Sequence, residues 1–206
     1  MPKRGLYLIT PDDADAARLI TRVLPMLPIA ACLQLRNKVL ARPVIREVAM
    51  ALRDACKQHG VTFIVNDDAR LASEVDADGV HLGEHDGAIA DARDLLGDTA
   101  IIGASCYDDL QRARQAVAAG ADYVAFGAFL PSATKPAARR ASLSLLEDSA
   151  ELGVPRVAIG GITPDNARPL VAAGADLIAV ISGVFDAPDP VAAARAYLSC
   201  FEEPRP

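Results

Sequence analysis

Residues 62–86 read TFIVNDDARLASEVDADGVHLGEHD. Two apolar runs, Phe63-Ile64-Val65 and Gly79-Val80-His81-Leu82, flank the helix-forming residues 69–75. Strand, helix and strand with short links make a βαβ unit, whose strands run parallel and side by side. The first run ends in Asn66-Asp67-Asp68 and the second in Gly83-Glu84-His85-Asp86. Two acidic clusters therefore fall at the same end of neighbouring strands. Carboxylates gathered there repel, and a bound hard cation is a common reason to tolerate them. Asp and Asn also begin helices after strands, so Asp67 alone reads equally well as a helix cap. The matching Asp86 tips the balance toward a metal site.

Working outward, one phrase recurs: Ala77-Asp78-Gly79-Val80-His81-Leu82-Gly83, then Gly120-Ala121-Asp122-Tyr123-Val124-Ala125-Phe126-Gly127, then Gly174-Ala175-Asp176-Leu177-Ile178-Ala179-Val180-Ile181. Each is a helix stop followed by an apolar strand. The intervals between the Asp residues, 44 and 54, each accommodate two βα units. Filling in the rest predicts eight strands at 6–10, 30–35, 62–65, 79–82, 101–104, 123–127, 156–160 and 177–181. Helical segments such as 108–119 and 164–173 separate them. The pattern predicts an α/β fold, a single closed (β/α)8 TIM barrel spanning residues 1–206 as one domain. The competing fold, an open doubly wound sheet, calls for a Gly-rich turn after the first strand, and Ile9-Thr10-Pro11-Asp12 is not one.

Composition agrees. The 206 residues are 51% apolar but only 4% aromatic, which suits strands buried on both faces by small aliphatic side chains. With 21 basic and 27 acidic residues the net charge is −6, against nucleic-acid binding by general electrostatics. No run approaches the ~20 apolar residues of a membrane span. The first residues pass directly into a strand without a secretory signal, and four cysteines show no CxxC spacing. The expectation is a cytoplasmic protein with reduced thiols, bound neither to membrane nor to nucleic acid. A homo-oligomer stays open.

A barrel carries its active site at the C-terminal ends of its strands. The second strand ends Gln34-Leu35-Arg36-Asn37-Lys38. Alternation puts Gln34, Arg36 and Lys38 on one face as far as the chain stays extended, a basic ladder suited to a multiply charged anion. The seventh ends Ile159-Gly160-Gly161-Ile162-Thr163 before Pro164, and the eighth ends Ile181-Ser182-Gly183. Thr163 as N-cap and Pro164 as first helical residue predict free N–H groups at a helix start, a backbone grip for phosphate. The long polar loop after the sixth strand carries Ser132, Thr134 and Lys135 and reads as a lid or phosphate clamp. Ser105 and Cys106 stand at the fifth strand's end with no base beside them, against a covalent nucleophile. His81, inside a strand, reads as packed or hydrogen-bonded. His85 can reach the site, and His59 at a helix end reads as structural. Together these features suit a Mg²⁺-bound diphosphate near one anion site, a phosphorylated partner at the other, and displacement of pyrophosphate.

QLRNK, FIVNDD, ADGVHLGEHD, IIGAS, SATK, AIGGIT and AVIS occur in that order. As a set they resemble the thiamine-phosphate synthase family over residues 5–185. The resemblance implies a Mg²⁺-dependent (β/α)8 transferase that joins hydroxymethylpyrimidine diphosphate to thiazole phosphate, giving thiamine phosphate and pyrophosphate. It implies that Gln34, Arg36, Lys38 and Asn66 hold the pyrimidine diphosphate and that Asp67 and Asp86 bind Mg²⁺. Ser105 and Lys135 would touch the pyrimidine substrate or its leaving group, so Arg36, Lys38, Ser105 and Lys135 carry catalysis. Ser132, Thr134, Gly161, Ile181 and Ser182 would hold the thiazole phosphate. The sequence departs from the family pattern at Glu84-His85, at Ser132 and at Gly127-Ala128. Glu84 is expected to add negative charge near the metal, and the missing proline at 128 to loosen the loop after the sixth strand. Two rival readings are a thiazole tautomerase-like isomerase and a non-catalytic barrel that binds a phosphate ligand.

Overall fold

The computed structural model describes residues 4–131 and 139–202. Eight parallel strands close into a barrel in sequence order: β1 Gly5–Ile9, β2 Cys32–Leu35, β3 Thr62–Asn66, β4 Gly79–Leu82, β5 Ile101–Tyr107, β6 Tyr123–Phe126, β7 Arg156–Ile159 and β8 Leu177–Val180. β8 pairs with β1 to close the ring, so the open-sheet alternative is excluded. Around it lie α1 Ala16–Val23, α2 Arg42–His59, α3 Ala69–Glu74, α4 Ile89–Leu96, α5 Leu110–Ala118, α6 Leu143–Asp148, α7 Pro164–Ala172, a short α8 Ser182–Phe185, and α9 Pro190–Leu198. Every predicted strand is present, with ends shifted by a residue or two except β5. That strand runs three residues further than predicted, through Ser105 and Cys106, with an irregularity between Ser105 and Tyr107.

Strand alternation separates two apolar layers. Leu6 and Leu8 of β1 and Val124 and Phe126 of β6 pack outward under the helices. Tyr7, Ile9, Cys32, Ile64, Tyr123, Ala125, Val157, Leu177 and Ala179 fill the barrel interior. Small residues make room for the two tyrosines there: a side chain at Gly103 would overlap the Tyr123 ring.

The recurring phrase has a mechanical explanation. Asp78 Oδ2 accepts the N–H of Phe63 at 2.7 Å, Asp122 Oδ2 that of Ile102 at 2.8 Å, and Asp176 Oδ2 that of Arg156 at 2.8 Å. The backbone N–H of each Asp also bonds the carbonyl of the same residue in the preceding strand. Each repeated Asp thus locks the start of one strand to the start of the next, satisfying strand-end N–H groups that a barrel bottom would otherwise leave open. Five of the helices start on side-chain caps: Asp15, Asp68, Asp109, Ser142 and Asp189 each accept a first-turn N–H. α2 stops at Gly60 in the left-handed conformation (φ 68°), a backbone that glycine adopts without strain. Among the described residues no helix is long and apolar enough to cross a membrane.

Candidate active site

The acidic pair forms as the strand order requires. Asn66 and His81 are register partners on β3 and β4, and the N–H of Asp67 donates to the His81 carbonyl at 2.8 Å. The capping role that Asp67 might have taken belongs to Asp68, whose carboxylate accepts the Leu71 N–H at 2.8 Å. Asp67 itself is held at φ 63°, outside the helix. Asp86 returns over the same rim, its Oδ2 accepting the Gly83 N–H at 2.9 Å. Burial and the neighbouring Asp86 carboxylate push the Asp67 carboxyl up to about 6, while Lys38 and Asn66 pull the other way. A Cβ on Gly83 would stand 2.5 Å from Asp86 Oδ2 and 4.0 Å from Asp67 Oδ1, so the space beside both carboxylates exists because residue 83 has no side chain. Two carboxylates that repel, beside a vacancy of about one side-chain carbon, fit Mg²⁺, which takes one or two protein carboxylates and leaves its other positions to water and substrate phosphate. Among the described residues no group of three His, Cys, Asp or Glu side chains is placed for a metal.

The basic residues do not form the strand ladder expected. β2 ends at Leu35, and Gln34 is buried within the barrel. Arg36 and Lys38 follow on a loop whose shape comes from the loop after β1. Thr10 Oγ1 donates to the Arg36 carbonyl at 2.6 Å and accepts the Arg36 N–H at 2.9 Å. Asp12 accepts the Lys38 N–H at 2.8 Å and the Arg36 guanidinium at 3.1 Å. Asn37 donates to the Asp13 carbonyl and accepts the N–H groups of Val39 and Leu40, closing the turn. Asp13 is in turn buried against Arg18, whose hydrogen bonds hold its carboxyl well below the usual carboxylate range. The cations converge on the rim by loop zippering rather than by β alternation. Lys38 still lies close enough to Asp67 to influence its proton affinity.

Gln34 and Ser105, on β2 and β5, are joined by a polar line through the barrel interior. Gln34 Nε2 donates to Tyr7 Oη at 2.8 Å, and Tyr7 Oη is 2.8 Å from Tyr123 Oη. Tyr123 Oη lies 2.9 Å from His81 Nδ1, and His81 Nε2 lies 2.9 Å from Ser105 Oγ. The His81 ring stacks on Tyr123, centroids 5.5 Å apart. Burial pushes the His81 imidazolium down to about 4, so the ring is neutral near pH 7, and burial holds both phenols protonated. His81 is hydrogen-bonded within the barrel, as expected, but the expectation that Ser105 has no base beside it is overturned: strand pairing brings the imidazole of β4 to the hydroxyl of β5. Tyr7, Tyr123 and Asp12 were not singled out from the sequence. The only signal for the tyrosines is their size, in inward positions of a chain otherwise filled by Ala, Val, Leu and Ile.

Glu84 is paired with a cation rather than left as a free charge. Its carboxylate faces Arg112 at 3.3 Å, and Arg112 Nε donates to the Ser105 carbonyl at 2.9 Å. His85 lies exposed. At the other side of the rim Gly161 (φ 67°) packs under the loop after β6. A Cβ there would meet the carbonyl oxygens of Pro131 and Leu130 at 2.5 and 2.7 Å. The free N–H groups expected at the start of α7 are largely used internally. Thr163 and Asn166 form a reciprocal capping box, and Pro164 has no N–H to give. α8, which begins at Ser182 just after Ile181, has no side-chain cap. The described part of the loop after β6 is pinned rather than loosened at Ala128, whose N–H donates to Arg139 and whose carbonyl accepts from Ala141. Ser132, Thr134 and Lys135 lie outside the described residues.

A closed parallel barrel with polar side chains from β2, β3, β4 and β5 converging at the strand ends is the architecture of the (β/α)8-barrel enzymes. Residues 6–184 match the family described as thiamine monophosphate synthase. A thiamine-phosphate synthase of Xanthomonas campestris pv. campestris is 60% identical over 200 residues, covering 97% of each chain. One of Chromobacterium violaceum is 54% identical over 204 residues, covering 98% of this chain and 99% of its own. A solved structure of thiamine phosphate pyrophosphorylase from Pyrococcus furiosus superposes with a TM-score of 0.86 at 35% identity, covering 98% of this chain and 96% of that one. The chain belongs to the thiamine monophosphate synthase family and is an enzyme.

Proposed function

We propose that this enzyme joins hydroxymethylpyrimidine diphosphate to thiazole phosphate with Mg²⁺ bound, forming thiamine phosphate and pyrophosphate. The single observation that carries the reading is the meeting of opposite charges at one rim. The Asp67–Asp86 pair stands beside Lys38, with Arg36 on the same loop, an arrangement that suits a metal-bound diphosphate. An isomerase that only moves a proton has no use for that pairing.

In this reading the bond between the pyrimidine methylene carbon and the diphosphate oxygen breaks first, and its electron pair leaves with pyrophosphate. The thiazole nitrogen then supplies the pair for the new carbon–nitrogen bond, and the product carries the positive charge on the ring. No proton transfer is required. Arg36, Lys38 and Lys135 stabilise the negative charge that grows on the departing diphosphate. Asp67 and Asp86 would hold Mg²⁺, which would supply further electrostatic stabilisation of that charge. Gln34 and Asn66 orient the pyrimidine diphosphate, and Gly161, Ile181 and Ser182, with Ser132 and Thr134, seat the thiazole phosphate. The test is direct. The purified enzyme is given both phosphorylated precursors and Mg²⁺, and thiamine phosphate is measured by oxidation to its fluorescent thiochrome. Formation of thiamine phosphate supports the reading. Isomerised thiazole without a coupled product would favour the tautomerase, and binding without turnover the passive barrel.

A further inference from the structure

The line Gln34–Tyr7–Tyr123–His81–Ser105 has four links and a limited supply of hydrogens, and these decide its direction. The Gln34 amide nitrogen only donates, so Tyr7 Oη accepts there. Tyr7 has one hydrogen left to place. Its neighbours are Tyr123 Oη and the Cys32 thiol. If Tyr123 donated toward Tyr7, the Tyr7 hydrogen would be left to sulfur, a weak acceptor. In a fully buried interior a hydroxyl hydrogen without a strong acceptor is costly. If Tyr7 donates to Tyr123, every buried hydrogen finds a strong acceptor. Tyr123 then gives its own hydrogen to His81 Nδ1, the imidazole carries its hydrogen on Nε2, and Nε2–H donates to Ser105 Oγ. The hydrogen of Ser105 is the one left over, and it lies at the half-buried rim, where water or substrate can accept it.

We infer that Tyr7, Tyr123 and His81 are positioning residues whose hydrogen-bond polarity holds His81 as the Nε2–H tautomer and turns Ser105 into a hydrogen-bond donor facing the substrate. The consequence rests on the proposed function: the Ser105 hydroxyl points its hydrogen at an oxygen of the bound pyrimidine diphosphate. The line also ties Gln34 to Ser105, so two substrate contacts on opposite sides of the rim share one polarised support.

The tautomer is directly observable. Unliganded enzyme labelled with ¹⁵N in histidine is recorded by NMR at pH 7.5, with spectra of His59→Gln and His85→Gln assigning the His81 signals. The expected result is a neutral ring with hydrogen on Nε2 and a bare Nδ1. A ring with hydrogen on Nδ1 overturns the inference whether or not the enzyme makes thiamine phosphate. The second measurement is Tyr123→Phe, which removes the donor to Nδ1. It is expected to mix the two His81 tautomers and to lower kcat about tenfold or more, with KM for thiazole phosphate unchanged. A pure Nε2–H tautomer with wild-type kcat in this variant would overturn the positioning role.

Discussion

Asp12 Oδ1 accepts the backbone N–H of Lys38 at 2.8 Å, tying the loop after β1 to the loop after β2. Its other oxygen holds the Arg36 guanidinium. Asp12 therefore shapes the basic side of the rim without being basic. Asp12→Ala should raise KM for the pyrimidine diphosphate about tenfold and leave KM for thiazole phosphate unchanged. The melting temperature should move little, because the side chain is exposed and leaves no cavity. Steady-state kinetics with each substrate varied in turn checks this, and equal changes in both KM values would contradict it.

Gly83→Ala tests the vacancy beside the acidic pair. The new methyl would press on the far end of the Asp86 side chain, which can swing aside, so the fold should survive. Moving that carboxylate should weaken Mg²⁺ activation. The Mg²⁺ concentration for half-maximal activity is expected to rise about tenfold or more, with a melting curve close to wild type. An unchanged Mg²⁺ dependence would remove the pair from metal binding.

Asp67 predicts an unusual pH response in metal-free enzyme. Its carboxyl binds a proton more tightly in the fold, at about 6, than in the unfolded chain, where an ordinary carboxylate titrates near 4. A raised acid stabilises the fold when protonated, so this contribution is present at low pH and is lost as pH rises through about 6. Asp13 acts in the opposite sense: its depressed carboxyl stabilises above the ordinary range and fails in acid. Comparing wild type with Asp67→Asn isolates the first effect. In chelator, the variant should gain roughly 1–2 kcal/mol relative to wild type between pH 4 and 7, discounted for partial solvent exposure. Thermal melts across that range read the sign, and a gain running the other way contradicts it.

If bond breaking precedes attack, the pyrimidine carries positive charge in the transition state. Electron-withdrawing substituents on that ring should then slow the single-turnover rate by orders of magnitude, with binding and product release removed from the comparison. A flat series would assign the rim cations to positioning in a concerted displacement.

The barrel was legible because its signals are local. Apolar runs spaced by helix-forming segments, and Asp78, Asp122 and Asp176 each just ahead of an apolar strand, report chain direction and repeat within a few residues. The acidic pair was legible for the same reason, since one βα unit separates Asp67 from Asp86. Arg36 and Lys38 were recognised as basic rim residues, but their geometry was misread, because alternation ends where the strand ends. What bends the chain there is Thr10 and Asp12, more than twenty residues earlier. Glu84 finds Arg112 on a different helix, and Tyr7 finds Tyr123 across the barrel at a separation of 116 residues. Partners set by closure of the ring leave no periodic trace, so hydrogen-bond lines inside the barrel and ion pairs between neighbouring loops are readable only in three dimensions.

In the proposed reaction the acidic pair and the basic loop together expel pyrophosphate as thiamine phosphate forms. One measurement addresses both halves: pyrophosphate and thiamine phosphate quantified in the same reaction, across a titration of free Mg²⁺, starting from both phosphorylated precursors. Equimolar products are expected, formed at a rate that rises from near zero to saturation with Mg²⁺. Thiamine phosphate made at full rate in chelator, or pyrophosphate released without matching product, would contradict it.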